Sequence, residues 1–233
     1  MKFKFHAAAA AAFIAAAALP ASAADITWTL GPSFGGALGH QGILTNGTLV
    51  QAINLVGPSA SGSTVVDPTG LNMSFTNVNT VPFDQSFQDP VNGIGDAGWA
   101  FIIRRFEWKA GSDVDATSFL SGLVVGNTYQ AQFFFARSLG QTQSRTQRLG
   151  DGAGNFSASV AMGAFQSVVG TFVADASAQR IVFDDSTNNP VLSAYVLRDV
   201  TTAPIPEPGT WALMLAGLGA VGFVGRRRQA GRA

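Results

Sequence analysis

Between Asp25 and Val200 apolar and polar residues alternate with a period of two, the spacing of strands that bury one face. Ile26, Trp28 and Leu30 alternate with threonines, and Leu71, Met73 and Phe75 with polar residues. Tyr129, Ala131, Phe133 and Phe135 share one face of a further run, and Phe165 to Val173, Gln179 to Phe183 and Val191 to Val200 add three more. Turn formers separate these runs: Gly57-Pro58-Ser59, Asp67-Pro68-Thr69-Gly70, Gly126-Asn127, Gly150-Asp151-Gly152 and Asp184 to Pro190. No stretch carries the 3.6-residue spacing of a long amphipathic helix, and there is no internal repeat or dividing linker. The pattern predicts an all-β protein, a single β-sandwich of jelly-roll type.

Two segments carry side chains suited to sugars, which are recognised by aromatic faces and fixed polar groups. Gly98 to Lys109 reads as a strand. Trp99, Phe101 and Ile103 then face the core, while Arg104, Phe106 and Trp108 share the opposite face, with Arg104 a donor beside a Trp108 platform. The competing reading packs Trp108 into a second layer. Ser138 to Asn155 is a long polar loop with Arg145, Arg148 and Asp151; long loops on compact domains are commonly functional. It reads as a glycan contact, as a flexible hairpin or as an internal Arg–Asp brace.

The two ends differ from this pattern. Lys2 and Lys4 precede a continuous apolar run of 13 residues, Ala7 to Leu19, and then small residues at Ala21-Ser22-Ala23. That is the order of a secretory signal peptide, residues 1–23, with cleavage by signal peptidase after Ala23 and Ala24 as the alternative. The apolar run is shorter than the roughly 20 residues that span a bilayer. At the other end, Pro204-Ile205-Pro206-Glu207-Pro208 precedes a Gly-rich apolar stretch from Thr210 to Gly225 and the cluster Arg226-Arg227-Arg228. An apolar run followed by arginines is a stop-transfer device, its charges held in the cytoplasm. At this length it predicts a transient inner-membrane anchor.

Pro206-Glu207-Pro208, the hydrophobic stretch and the terminal Arg226, Arg227 and Arg228 together resemble the PEP-CTERM sorting signal, here residues 204–233. That resemblance implies processing by an exosortase, a membrane protease, and release at the cell surface or into the extracellular matrix of a Gram-negative bacterium that makes exopolysaccharide. A softer resemblance covers about half of the middle, residues 24–203. Leu120-Ser121-Gly122-Leu123-Val124-Val125-Gly126-Asn127-Thr128-Tyr129, leading into Gln130 to Ala136, and the closing run Ala194 to Val200 resemble extracellular galactose-binding-like jelly rolls. These motifs describe turns and bear on fold, not chemistry.

Charge narrows the function. The chain is formally neutral. Asp25 to Ile205, however, holds 8 basic against 13 acidic residues, a net charge of −5. Nucleic acid is thereby disfavoured, since phosphate contacts need clustered Lys and Arg. There is no Cys, hence no disulfide, lipoprotein anchor or thiol nucleophile. Beyond the signal the one histidine is His40, in Gly39-His40-Gln41-Gly42; this is too few for a His-based zinc site and a poor setting for a Ser-His-Asp triad. With Glu107 the one Glu before the tail, a Glu/Glu glycosidase pair is excluded, leaving an Asp-based glycan-active enzyme as a remote alternative. No Gly-rich loop precedes a helix to cradle phosphate.

No cofactor is expected. A structural calcium is the one candidate ion, with Asp184 and Asp185 ahead of Asp113-Val114-Asp115 and Asp151 to Asn155, none spaced as an EF-hand. The sequence therefore predicts a non-catalytic surface or matrix protein with affinity for exopolysaccharide or another glycan. The alternative is a purely structural matrix component, in keeping with 27 Gly and 12% charged residues.

Overall fold

The computed structural model describes residues 24–55, 63–78, 85–88, 94–109, 116–135, 145–184 and 189–202, together with Met214, Ala216 and Leu218. The chain divides into two units, Met1–Val200 and Thr201–Ala233. In the second, Met214, Ala216 and Leu218 are helical, and no helix among the described residues is long and apolar enough to cross a membrane. Ala21, Ala23, Pro206, Glu207, Pro208, Arg226, Arg227 and Arg228 lie outside the described residues, as does most of the apolar stretch from Thr210 to Gly225.

The first unit is built of strands. In chain order they are β1 (Thr27–Ser33), β2 (Thr48–Leu55), β3 (Ser63–Val66), β4 (Asn72–Val78) and β5 (Gln85–Gln88). After helix α1 (Ala97–Ile103) come β6 (Arg105–Trp108), β7 (Ala116–Ser121), β8 (Thr128–Phe134), β9 (Thr146–Gly150) and β10 (Val160–Ala161). The last four are β11 (Gln166–Val173), β12 (Ala178–Asp184), β13 (Val191–Leu192) and β14 (Ala194–Asp199). Seven of them form one sheet in the order β1-β11-β8-β14-β2-β4-β3, antiparallel except for β2 with β4. A four-stranded sheet, β10-β9-β12-β7, and a three-stranded one, β13-β6-β5, complete the unit. The expectation of an all-β sandwich holds.

Two cores lie on opposite faces of the large sheet. On β8, Tyr129, Ala131 and Phe133 enter the larger core with Leu149, Ile181 and Phe183 of the four-stranded sheet and Phe106 and Leu192 of the three-stranded one. Phe134 faces the other way, into a second core with Phe34, Trp99, Ile102, Ile103 and Val196. This is why β14 is buried at five consecutive positions, Ala194 to Arg198, where alternation alone would expose every second residue. At the edges the reverse occurs. Leu30 on β1 is 55% exposed and Leu71, just before β4, is 68% exposed; neither joins the buried face that the period-two pattern assigns it.

One element departs from the expected reading. Gly98 to Ile103 is helical, not extended. The Asp96 carboxylate caps the helix, accepting from the Trp99 backbone N–H at 2.6 Å. Trp99, Ile102 and Ile103 then fall at the i, i+3, i+4 spacing of one helix face and are fully buried. The strand reading put Phe101 in the core face instead of Ile102. Trp99 anchors the helix: its indole N–H donates to the Phe34 carbonyl at 3.0 Å, and its ring meets Phe34 and Phe134 edge to face, with centroids 6.4 and 5.0 Å away. A buried aromatic of this kind contributes about 1.5–3 kcal/mol by area alone.

Buried glutamines stitch the seams. Gln132 on β8 accepts from Leu44 N–H at 2.9 Å and donates to the Gly42 carbonyl at 2.8 Å and the Ser167 hydroxyl at 3.0 Å. Gln179 accepts from Ala24 N–H at 3.2 Å and donates to the Arg180 carbonyl at 3.1 Å. Gln147 donates to the Val191 carbonyl at 2.9 Å and accepts from Val191 N–H at 2.7 Å, joining β9 to β13. A primary amide carries both a donor and an acceptor, so each side chain can satisfy backbone groups that lack a neighbouring strand.

Candidate functional site

The register of β9 against β12 sets Arg148 directly opposite Asp184. Opposed residues of an antiparallel pair share a face, and the Arg148 Nε lies 2.5 Å from the Asp184 carboxylate. The guanidinium is spread over the Phe156 ring, its central carbon 4.1 Å from the centroid, a cation–π contact. Arg148 remains 44% exposed while Asp184 is 16% exposed. Among the described residues no group other than Asp184 bonds this guanidinium, so its terminal nitrogens are open to solvent.

Glycines make room for this arrangement. A Cβ on Gly150 would stand 2.7 Å from the Phe156 ring, so only glycine lets the ring lie there. Gly152 has a positive φ of 83°, which favours glycine, and the exposed Arg180 side chain of β12 crosses over it. Val182 of β12, opposite Gly150, is buried although it belongs to neither core.

Asp151 holds the loop that delivers Phe156. Its side chain is fully buried, and one carboxylate oxygen accepts from the N–H groups of Ala153 at 2.7 Å and Asn155 at 3.3 Å. The other oxygen is buried without a hydrogen-bond partner. Asn155 in turn donates to the Ile26 carbonyl at 2.6 Å, and the Ser157 hydroxyl accepts from Leu149 N–H at 3.0 Å. Asp151 thus shapes the loop from within.

The other expected residues are dispersed. Arg145 is buried, and its guanidinium donates to the Asn189 carbonyl. Arg104 is the C-cap of α1 and half-buried. Phe106 lies in the larger core and Trp108 packs, half-buried, against the same core. The common outward face drawn for Arg104, Phe106 and Trp108 therefore does not form, because the chain changes from helix to strand at Arg104. Asp184 is taken up by Arg148; Asp185, Asp113 and Asp115 lie outside the described residues. No group of three or more metal-ligating side chains occurs among the described residues. His40 sits half-buried in a short 3₁₀ turn, Gly39–Gly42.

Sequence reasoning missed Phe156 and Arg180. Phe156 lies in no periodic run and Arg180 is only a polar position within the run Gln179 to Phe183, so both join the site through the pairing of β9 with β12 and the Asp151 turn.

One further cluster stands apart from this face. Phe101 lies three residues before Arg104, the C-cap of α1, and four before Arg105, the first residue of β6. The Arg105 guanidinium stacks 3.4 Å from the Phe101 ring centre and that of Arg104 lies 5.4 Å away. Burial, and then the neighbouring Arg104 charge, hold Arg105 below the usual arginine range.

No curated protein matches the chain. Among solved structures it is similar to the ANX1 ectodomain from Arabidopsis thaliana, with a TM-score of 0.48 and 10% identity over 69% of this chain and 52% of that one. It is also similar to the ANX2 ectodomain from the same plant, with a TM-score of 0.45 and 10% identity over 76% of this chain and 58% of that one. A third is Bacteroides uniformis beta-glucuronidase 2, with a TM-score of 0.44 and 12% identity over 64% of this chain and 17% of that one. The chain thus spans about half of the ANX1 ectodomain, 52%, and a smaller part of the glucuronidase. Residues 204–228 match the family model of the PEP-CTERM protein-sorting motif, and the chain is accordingly an exported, exosortase-targeted protein that carries this motif.

Proposed function

We propose that this is a non-catalytic protein of the cell surface or exopolysaccharide matrix that binds carbohydrate through the outer face of β9 and β12. The observation that carries the reading is the state of Arg148. Its Nε is held by Asp184 and its central carbon lies over the Phe156 ring, leaving the two terminal nitrogens open. A planar fork fixed in this way presents parallel donors at low entropic cost, and vicinal sugar hydroxyls are matching acceptors. Asp184 beside it accepts from a hydroxyl, and Arg180 across Gly152 extends the row of donors.

The sandwich is of the galactose-binding-like jelly-roll type. Signal peptidase removes residues 1–23, the segment after Pro206-Glu207-Pro208 anchors the precursor briefly in the inner membrane of a Gram-negative cell, and exosortase then releases it. A cation at Asp184 would have to displace Arg148, so the site works without calcium.

The test is electrophoresis through gels containing the host's exopolysaccharide, using protein purified after expression of the full chain. Wild-type mobility falls with polymer concentration, Arg148→Ala restores free mobility, and Arg148→Lys, which lacks the fork, restores most of it. Equal retardation of all three, with native near-ultraviolet spectra, refutes this surface. It would favour a diffuse matrix role, which suits the polar, weakly charged composition.

A further inference from the structure

We infer that Phe101, Arg104 and Arg105 form a second subsite, for the carboxylate of an acidic sugar residue. Its existence as a sugar site rests on the carbohydrate reading, but it uses different residues from the β9–β12 face. Three observations carry it. The turn from α1 into β6 places both arginines on the Phe101 ring, with Arg105 at 3.4 Å and Arg104 at 5.4 Å, so two like charges share one aromatic support. Arg104 Nε and one terminal nitrogen of Arg105 are buried and hydrogen-bond to nothing. Among the described residues no carboxylate pairs with either arginine.

Unpaired, half-buried cations are costly when held side by side. The arrangement is relieved by an anion that two guanidinium groups can grip together. Both side chains keep partial exposure, so an anion from solvent reaches the guanidinium nitrogens that are not buried. The negative end of α1 adds to the attraction that keeps the two arginines at its C-terminus in the absence of such an anion.

The same features select the class of anion. A guanidinium fork matches the two oxygens of a carboxylate in one plane. The surrounding region is acidic overall, with 8 basic against 13 acidic residues between Asp25 and Ile205. A densely charged polymer such as nucleic acid is thereby repelled. A short acidic oligosaccharide carries at most one carboxylate per sugar, each beside neutral hydroxyls, a far lower charge density than a duplex with one charge per about 1.7 Å.

The probe is an oligogalacturonate of defined length, and its control is the same oligosaccharide with every carboxyl reduced to the alcohol. Binding to the protein purified after expression of the full chain is followed by calorimetry. The acidic oligosaccharide binds and the reduced one binds at least about tenfold more weakly, the loss expected from removing a charge-assisted hydrogen bond. Arg104→Gln and Arg105→Gln each remove that preference, Arg105→Lys weakens it, and Arg148→Ala leaves it in place. Equal binding of the two oligosaccharides overturns the proposal. So does an equal loss from Arg148→Gln, which would mean general charge attraction, or full competition by inorganic phosphate, which would mean an unspecific anion site. If the glutamine variants lose their native spectra, Phe101→Leu decides: it keeps the apolar bulk but removes the aromatic support, and unchanged preference refutes the clamp. Loss of gel retardation in Arg148→Ala with the acid preference intact separates the fate of this subsite from that of the β9–β12 face.

Discussion

Replacing Gln147 with Leu tests whether side-chain amides hold the small sheets together. Lys109 N–H donates to the Pro190 carbonyl at 3.2 Å. In an antiparallel pair that bond makes Val191 and Trp108 a non-hydrogen-bonded pair, so the N–H and C=O of Val191 point away from β6. Gln147 meets both, at 2.7 and 2.9 Å, in the buried interior. Leucine fills a similar volume and bonds to neither. Each orphaned buried group costs about 1–3 kcal/mol, so a total loss of about 2–6 kcal/mol is expected. In urea, with a slope of about 2 kcal/mol/M, the midpoint should fall by about 1–3 M at unchanged slope. A fall below about 0.5 M would refute the reasoning, since it would mean that Val191 finds other partners.

Four other outcomes follow from the same contacts. Gly150→Ala drives a methyl group into Phe156, and should cost about 1–3 kcal/mol and abolish retardation by exopolysaccharide; an unchanged melting curve would contradict it. Burial pushes Tyr195 up to about 12 while it donates to Gln51 at 3.2 Å. Its stabilising effect is therefore complete below the ordinary tyrosine range near about 10 and is lost as pH rises through the folded value. Tyr195→Phe should flatten the alkaline limb of stability, and a limb identical to wild type would refute this. For Asp67, burial acts to raise the carboxyl, but the Thr69 hydroxyl, the N–H groups of Leu71 and Thr69, and Arg198 outweigh it and hold it below the ordinary carboxylate range. Its contribution is present above about pH 4 and lost as pH falls through the depressed value, so Asp67→Asn should lose stability at neutral pH and show a shallower acid limb. Replacing Pro206, Glu207 and Pro208 by alanine should leave unprocessed precursor in the inner-membrane fraction; normal-sized protein outside the cell would contradict exosortase processing there.

Elements with one covered face were readable from the sequence. Tyr129, Ala131, Phe133 and Phe135 fall together in the larger core, as their spacing requires. Gln132 and Phe134 are buried as well, and alternation cannot reveal that the second face of a sheet is also covered. The misread element is the one whose residues suit both periods: Ala97 to Ile103 is apolar almost throughout, and Asp96 as a cap was the sign that decided for helix. At the candidate site the polar chemistry of Arg148 and Asp151 was visible, but the long loop expected over Ser138 to Asn155 contains strand β9, Thr146–Gly150, because its Gln147 and Leu149 face the interior. The partner of Arg148 was not visible, because Asp184 lies 36 residues from Arg148 and meets it through strand register alone. The sorting motif needed no fold to be seen, since its three parts are contiguous.

The central claim is that the exported domain recognises sugar through a built surface. Calorimetric titration of the host's purified exopolysaccharide into the protein, first with calcium and then with chelator, tests it most directly. The account predicts a saturable heat that survives the chelator and disappears in Arg148→Ala. A folded protein that gives no heat in either condition, or a heat that Arg148→Ala leaves unchanged, would contradict it.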